Sequence, residues 1–268
     1  MKLLSSYRHH QSIIIGVAIC LIFISNSVFA QQKNYTVANA HAHNDYMHPV
    51  PFYTAFNAGF GSIEADIYPV HDVLYVAHNK NDIKQDRTLK SLYIDPLLRE
   101  LAKNKYRHLK LLIDVKEDYK SSLQILLKEI EPLKKYLATP GKMRNLVTIL
   151  ISGERPPPSE YKNYPDYIFF DDDLTLKHNP GEWKRVGQVS LSFERYSSWR
   201  GKGSLETSDE KLLQHTIDSV HNAGKTVRFW AAPDTELSWE TQMKLGADLI
   251  GTDEIDELAD FLNSKRKK

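Results

Sequence analysis

The chain has 268 residues, of which 41% are apolar and 26% are charged, and this composition is typical of one folded domain with a large core. Its 35 lysines and arginines nearly balance 34 aspartates and glutamates, so no overall charge favours binding to nucleic acid. The only cysteine, Cys20, leaves the rest of the chain without a thiol nucleophile, a thiolate metal site or a disulfide.

A secretory signal peptide is predicted at the start of the chain, over residues 1–30. Basic residues precede an apolar run over residues 13–24, and Val28-Phe29-Ala30 offers the small residues that signal peptidase prefers. Cleavage near Ala30 predicts a secreted or periplasmic protein with one domain over residues 31–268.

Two other interpretations of this first segment stay open. An uncleaved membrane anchor is disfavoured because the apolar run is shorter than the roughly 20 residues that cross a bilayer. A lipoprotein acylated at Cys20 is disfavoured because the bulky Ile19 stands where a small residue is expected.

Short apolar runs rich in β-formers then alternate with longer segments that have helical periodicity, which indicates a parallel sheet with helical crossovers. Eight strands are predicted, near residues 36–42, 62–67, 108–114, 146–152, 167–170, 188–193, 226–231 and 249–252. Helices are predicted near residues 53–58, 92–102, 121–136, 210–222, 240–245 and 255–262, and loops over residues 154–166 and 175–185.

This pattern predicts an α/β fold, a single (β/α)8 TIM barrel, because eight strands in a mature chain of about 240 residues match its usual size of about 250. A small β-hairpin is predicted after the second strand, where residues 73–77 return from a turn at His71-Asp72. An open, doubly wound sheet is the alternative. In a barrel of this kind the active site lies at the carboxyl ends of the strands.

Carboxylates close two neighbouring predicted strands. Glu64 and Asp66 are two residues apart and so share a face of their strand, where like charges repel unless a cation lies between them. Asp114 closes the next strand, and Asn44, after the first strand, adds a neutral carbonyl oxygen. These four residues are the predicted metal ligands, and such an all-oxygen set suits one divalent cation, Mg²⁺ or Ca²⁺, rather than zinc.

Two histidines are the predicted catalytic residues. His43 follows the first strand, and His78 ends the predicted hairpin arm, so both are expected at the carboxyl end of the barrel. With ordinary pKa values of about 6.5, one imidazole can accept a proton from the nucleophile while the other donates one to the leaving alkoxide. Lys116 is predicted to bind the substrate and to offset charge on the phosphoryl oxygens.

Three further sequence features allow more than one functional assignment. His41-Ala42-His43 also matches the His-x-His motif of zinc amidohydrolases. In the run Asp171-Asp172-Asp173, one carboxylate is expected to cap the next helix rather than to form a second cation site. Trp230 ends a predicted strand, and both core packing and stacking on a substrate are open for it.

The chain resembles the phosphatidylinositol phospholipase C-like phosphodiesterase superfamily, which includes the glycerophosphodiester phosphodiesterases, and it is most similar to the altered-inheritance-of-mitochondria type. The families share a barrel with two catalytic histidines, a Glu-x-Asp pair and a third acidic metal ligand. The resemblance implies these roles for His43, His78, Glu64, Asp66 and Asp114. Residues 227–230 and 246–253 resemble the last two strands of glycerophosphodiesterases, which implies a substrate-binding role for Trp230.

The predicted function is metal-dependent hydrolysis of a phosphoric diester: cleavage of a P–O bond in a glycerophosphodiester, a phosphoinositide or another lipid-derived phosphodiester. The alternatives are a zinc amidohydrolase-like enzyme and a non-catalytic barrel that binds a phosphorylated ligand. The predicted partner is therefore a small-molecule or lipid phosphodiester, with no nucleic acid, with membrane contact left open, and with the protein a monomer.

Overall fold

The computed structural model of the protein describes residues 33–103, 107–142 and 147–265. The predicted signal peptide, its cleavage near Ala30 and the secreted or periplasmic location that they imply therefore rest on residues outside the described part. Within the described part, no helix combines the length and the apolar character that crossing a membrane requires.

Eight parallel strands form one nearly closed sheet, which confirms the predicted (β/α)8 barrel. The strands are β1 Ala40–Ala42, β2 Ser62–Val70, β3 Val73–Val76, β4 Leu109–Val115, β5 Val147–Gly153, β6 Ile168–Asp172, β7 Val186–Ser192, β8 Val227–Trp230 and β9 Ile250–Thr252. The sheet runs in the order β8-β7-β6-β5-β4-β2-β1-β9, and a parallel bridge between Arg228 and Leu249 joins its two ends. The remaining strand, β3, pairs antiparallel with β2 and makes the predicted hairpin.

The six predicted helices are present; the first has the predicted bounds, 53–58, and each of the other five has at least one shifted end. The α-helices are α1 Tyr53–Ala58, α2 Asp95–Ala102, α3 Tyr119–Glu129, α4 Pro180–Trp183, α5 Thr207–Asn222, α6 Glu236–Leu245 and α7 Ile255–Lys265. Helix α3 stops before the predicted end because Pro132 has no N–H to continue the α-helical pattern, and the chain goes on as a 3₁₀ helix over Glu131–Tyr136.

Two local predictions are wrong for reasons of side-chain capping. The first strand begins at Ala40 because the Thr36 hydroxyl accepts a hydrogen bond from the Ala38 N–H and starts a short 3₁₀ helix over Val37–Asn39. The segment 175–185, predicted as a loop, contains helix α4, because the Asn179 side chain accepts hydrogen bonds from two backbone N–H groups of its first turn. The other predicted loop also contains a 3₁₀ helix, over Pro158–Asn163.

Strand β2 shows how the alternation of side chains separates core from site. Ile63, Ala65 and Ile67 are fully buried in the apolar core, whereas Glu64 and Asp66, between them, point to the other face of the strand. The parallel register with β4 sets Asp66 directly beside Asp114. The fold therefore brings the carboxylates of two strands together at the barrel mouth, which is the end of the barrel where the parallel strands have their carboxyl ends.

Gly153 lies directly against the end of β4 and the Asp114 carboxylate. It ends β5 with a φ of 68°, and an added Cβ would lie 2.3 Å from the Val115 carbonyl oxygen and 2.9 Å from Asp114 Oδ1. Only glycine fits this backbone without moving the Asp114 carboxylate.

We expect Gly153→Ala to lower the free energy of unfolding by about 3 kcal/mol, because the left-handed backbone strain adds to the steric overlap. Gly203→Ala is the matched control, since Gly203 has a φ of 65° with no atom within 4 Å of the added Cβ. The control should lose only about 1 kcal/mol. Equal losses in chemical denaturation would contradict the account.

Candidate active site

A pocket of about 430 Å³, here called the main pocket, opens at the barrel mouth. Its volume lies in the range of sites for small molecules. Of the predicted site residues, it is lined by His43, Glu64, Asp114, Lys116 and Trp230. The barrel topology thus brings these residues from four different strands into one cavity, as the fold class predicts.

Three carboxylates, here called the acidic trio, meet beside this pocket. Glu64, Asp66 and Asp114 each contribute an oxygen, and the three oxygens lie within 4.8 Å of one another. In the part of the chain that the structure describes, this is the only group of three or more acidic, histidine or cysteine side chains with such spacing. The three acidic residues predicted as ligands are therefore brought together.

Asp66 supplies the observation that tests whether the trio fits a cation. Its Oδ2 lies 2.7 Å from Tyr46 Oη and 2.7 Å from Lys116 Nζ, but its buried Oδ1 has no hydrogen-bond partner among the described residues. Burial and the neighbouring Glu64 charge raise the pKa of Asp66 to about 6 against the opposing effect of Lys116. Because buried carboxylate oxygens are normally satisfied, the trio has the donor set and the free oxygen that a hard divalent cation needs.

Glu64 is held as an anion by two buried partners. Its Oε2 lies 2.7 Å from His41 Nε2 and 3.3 Å from an Arg228 nitrogen. Burial alone would raise the pKa of Glu64, but the Arg228 charge and the His41 hydrogen bond outweigh it and hold the pKa well below its usual range. Glu64 thus stays ionised at any ordinary pH.

His41 holds the Glu64 carboxylate in place through a buried hydrogen bond. It is fully buried, and burial together with the Arg228 charge lowers its pKa to about 4. Its Nδ1 lies 2.7 Å from Ser62 Oγ, so the protein occupies both ring nitrogens of this neutral imidazole. Neither nitrogen is left to bind a metal.

Lys116 bridges the other two carboxylates. Its Nζ lies 2.6 Å from Asp114 Oδ2 and 2.7 Å from Asp66 Oδ2. Burial would lower its pKa, but the two carboxylates hold the pKa above its usual range, so Lys116 is a cation. Asp114 Oδ1 also accepts a hydrogen bond of 2.7 Å from Ser152 Oγ. A fixed positive charge therefore stands where the carboxylates of β2 and β4 meet.

His43 is oriented by Asp253, which directly follows β9. The His43 Nδ1 lies 2.7 Å from Asp253 Oδ1, and the Asn44 Nδ2 lies 3.2 Å from the same oxygen. Burial would lower the pKa of His43, but this hydrogen bond and the negative charges of Glu64 and Asp253 raise it. The Nε2 atom of His43 has no partner among the described residues, which leaves it available for proton transfer.

His78 lies beside Asp66 at the base of the hairpin. Its Nδ1 is 3.5 Å from Asp66 Oδ2 and 3.2 Å from Tyr46 Oη, and its side chain is 53% exposed. His78 is not among the described residues that line the main pocket. The two predicted catalytic histidines thus flank the acidic trio, with His43 facing the pocket and His78 nearer to solvent.

Tyr46 joins three predicted site residues and was missed from the sequence. Its buried hydroxyl lies 2.7 Å from Asn44 Oδ1 and 2.7 Å from Asp66 Oδ2, and it also reaches His78. Burial and the Asp66 charge hold its pKa far above the usual range, so Tyr46 is a neutral donor. Its one hydrogen serves one of these acceptors at a time. Asn44 therefore reaches the trio through Tyr46.

Trp230 stands at the edge between two cavities. It ends β8 with 47% of its surface exposed, and it lines both the main pocket and a neighbouring cavity of about 340 Å³ on the side of β9. A large exposed aromatic ring beside a polar pocket suits contact with a bound ligand better than core packing.

The acidic run after β6 lies on the far wall of the pocket, and none of its members caps helix α4, contrary to the expectation. Asp172 and Asp173 accept hydrogen bonds from backbone N–H groups two residues ahead and close local turns. Asp172 also lies 2.6 Å from His178 Nε2, and Asp173 pairs with Arg155 at 3.3 Å. Burial raises the pKa of Asp171 to about 6. Asp172 and Asp173 are therefore partnered by groups of the protein itself.

Comparison with known proteins places the chain near one family. Residues 30–108, which contain both predicted catalytic histidines, match the model of the AIM6-like phosphodiesterase domain. "Altered inheritance of mitochondria protein 6 homolog" of Arthroderma benhamiae is 29% identical over 259 residues, covering 80% of this chain and 81% of the relative. "Altered inheritance of mitochondria protein 6" of Eremothecium gossypii is 25% identical over 277 residues, covering 84% and 69%.

These similarities confirm the predicted resemblance to the altered-inheritance-of-mitochondria type. The matching domain model indicates a phosphodiesterase and thus an enzyme. The matched segment holds Glu64 and Asp66 but ends before Asp114, Lys116 and Trp230.

We expect Asp253→Asn to lower the pKa of His43, because the Asp253 carboxylate stabilises the protonated imidazole. The pKa is measured by NMR titration of the imidazole in the presence of a chelator. Asp256→Asn, an exposed site three residues further on, is the control and should leave the His43 pKa unchanged. A His43 pKa that stays constant or rises in Asp253→Asn would show that the Asp253 carboxylate does not raise the pKa of His43.

Proposed function

We propose that this chain, which resembles the AIM6-like phosphodiesterases, is a metal-dependent phosphoric diester hydrolase. The observation that carries the proposal is the acidic trio with its unpartnered Asp66 oxygen, placed beside a histidine that a carboxylate orients. Carboxylate oxygens for a hard cation and imidazoles for proton transfer are the groups that phosphodiester cleavage requires.

Glu64, Asp66 and Asp114 would hold the cation, Mg²⁺ or Ca²⁺, and Asn44 would offer a carbonyl oxygen beside them. When bound, the cation supplies Lewis-acid polarisation of a phosphoryl oxygen. Glu64 contributes a permanent negative charge, because Arg228 and His41 keep it ionised. Lys116 adds a fixed positive charge next to the trio, where charge develops on the non-bridging oxygens.

His43 is the proposed general base. Its Nδ1 donates to Asp253, so Nε2 carries the lone pair and accepts a proton from the attacking hydroxyl, whether of water or of the substrate. His78, on the other side of the trio, donates a proton to the leaving alkoxide. The Asp66 and Tyr46 oxygens near its Nδ1 hold the ring beside the trio.

The proposed substrate is a glycerophosphodiester, a phosphoinositide or another lipid-derived phosphodiester, with Trp230 against its headgroup. The polar main pocket suits the headgroup and the phosphoryl group, and the neighbouring cavity beyond Trp230 gives room for the second ester substituent. We also propose that the protein acts outside the cytoplasm, as the predicted signal peptide over residues 1–30 implies. We propose further that it acts as a monomer.

The zinc amidohydrolase alternative loses its support at His41. A His-x-His metal site needs a free nitrogen on each histidine, and the nitrogens of His41 are taken by Ser62 and Glu64. The alternative of a barrel that only binds a phosphorylated ligand differs from the proposal in turnover alone.

The proposal is tested by turnover of bis(p-nitrophenyl) phosphate with Mg²⁺ or Ca²⁺. His43→Ala should lower kcat by roughly 10²–10⁴-fold, the usual contribution of a general base. Because p-nitrophenolate leaves without protonation, His78→Ala is tested on a glycerophosphodiester, whose alkoxide leaving group needs a proton, and it should lower kcat there by a similar factor. His215→Ala, on the exposed face of α5, is the control and should keep full activity.

Binding of the cation should persist in both histidine variants, since neither side chain is assigned as a ligand. Retained turnover of the chromogenic diester by His43→Ala, or of the glycerophosphodiester by His78→Ala, would refute the assignment of that histidine. Absence of turnover in the wild-type protein, together with binding of phosphorylated ligands, would favour the binding-only barrel.

A further inference from the structure

Four cationic side chains line the main pocket, and three of them are neutralised by neighbouring anions. Lys116 pairs with Asp66 and Asp114, Arg228 pairs with Glu64, and Arg155 pairs with Asp173. These pairs account for the positive charges on the walls next to the acidic trio and on the far wall after β6.

Arg195 is the exception. It lines the main pocket from the 3₁₀ helix Phe193–Arg195 that follows β7, its side chain is exposed, and it forms no ion pair or hydrogen bond with any described residue. The acidic residue beside it in sequence, Glu194, is engaged elsewhere, since it pairs with Arg200 at 3.0 Å. Among the four cations that line the pocket, Arg195 is thus the one whose guanidinium has no partner among the described residues.

The position of Arg195 in the barrel is specific. In the closed strand order, β7 and β2 are separated by three strands in either direction, so they lie opposite each other across the mouth. Glu64 and Asp66 lie on β2, and Arg195 follows β7. A ligand with its phosphoryl group at the acidic trio must span the pocket to reach Arg195.

We propose that Arg195 binds a second anionic group of the substrate, a phosphate or a carboxylate on the headgroup, at the side of the pocket opposite the trio. This inference rests on the proposed function, because it takes the trio as the place of the reacting phosphoryl group. Arginine forms paired, charge-assisted hydrogen bonds with such groups, and the absence of a protein partner leaves its full set of donors for the ligand.

The proposal narrows the substrate class. A diester with a neutral headgroup, such as one with glycerol alone, leaves Arg195 without a counter-ion, whereas a headgroup with a further phosphate or carboxylate supplies one. Arg195 is therefore a specificity-determining residue, and its contribution is a preference between ligands.

The test is isothermal titration calorimetry of the cation-loaded protein with α,ω-alkanediol bisphosphates of increasing chain length and with the alkyl monophosphates of the same lengths. Each pair of probes differs only in the second anion. At the best chain length, the wild-type protein should bind the bisphosphate roughly tenfold more tightly, as expected for one charged hydrogen-bonded pair.

The variants assign this preference to one side chain. Arg195→Gln should lose the preference for the bisphosphate, and Arg195→Lys, which keeps the charge, should recover part of it. Lys202→Gln removes a charge from the same loop, but Lys202 does not line the pocket, so this control should keep the preference. A preference that survives in Arg195→Gln, or a wild-type protein without preference or binding at any length, overturns the inference.

The outcome is separable from that of the proposed hydrolysis. Turnover of the chromogenic diester without any bisphosphate preference would leave the hydrolase intact and remove the role of Arg195. A preference that depends on Arg195 without turnover of any diester would keep the role of Arg195 in a barrel that only binds its ligand.

Discussion

Mutual repulsion of three carboxylates at the ends of two neighbouring strands is the constraint around which this barrel mouth is organised. Glu64, Asp66 and Asp114 are brought within 4.8 Å by the strand register, and two of them are buried. Buried charges without partners are strongly destabilising, so the surrounding residues must supply positive charge. Arg228 does so for Glu64, and Lys116 does so for the other two.

This compensation reaches down into the barrel. Arg228 Nε donates to Ser190 Oγ, which also accepts from Gln188 Nε2, and Gln188 Oε1 accepts from Lys110 Nζ. A continuous chain of polar side chains therefore connects the lower part of the barrel to Glu64 and holds Arg228 in place. Among the described residues, one buried carboxylate oxygen of the acidic trio is left without a hydrogen-bond partner. It is Asp66 Oδ1. The proposed divalent cation would contact this oxygen.

Much of the fold and part of the site could be predicted because they follow from local rules. The two-residue spacing of Glu64 and Asp66, and their place at the end of an apolar run, indicate a shared face at the mouth of a barrel. The supporting residues could not be found in this way. Asp253 is 210 positions from His43 in the chain, and Tyr46 joins Asn44, Asp66 and His78 only because the loop after β1 folds back.

His41 is instructive for the same reason. Its place in a His-x-His sequence suggests a metal ligand. However, His41 lies two residues before His43, on β1, where its imidazole is buried inside the barrel and contacts Ser62 and Glu64. Burial, which the sequence does not give, decides between the two roles. Short polar caps misled the local predictions similarly, since Thr36 and Asn179 start helical turns where the apolar pattern indicated a strand and a loop.

The central claim is that the acidic trio holds a divalent cation and that Asp66 completes its site. Calorimetric titration of the metal-free protein with Mg²⁺ and Ca²⁺ tests it most directly, with Asp66→Asn compared against Asp72→Asn, an exposed aspartate at the hairpin turn. The account predicts one site in the wild-type protein and in Asp72→Asn, and at least tenfold weaker binding in Asp66→Asn, as expected for the loss of one charged ligand. Equal affinity in the two variants, or no binding by the wild-type protein, would contradict it.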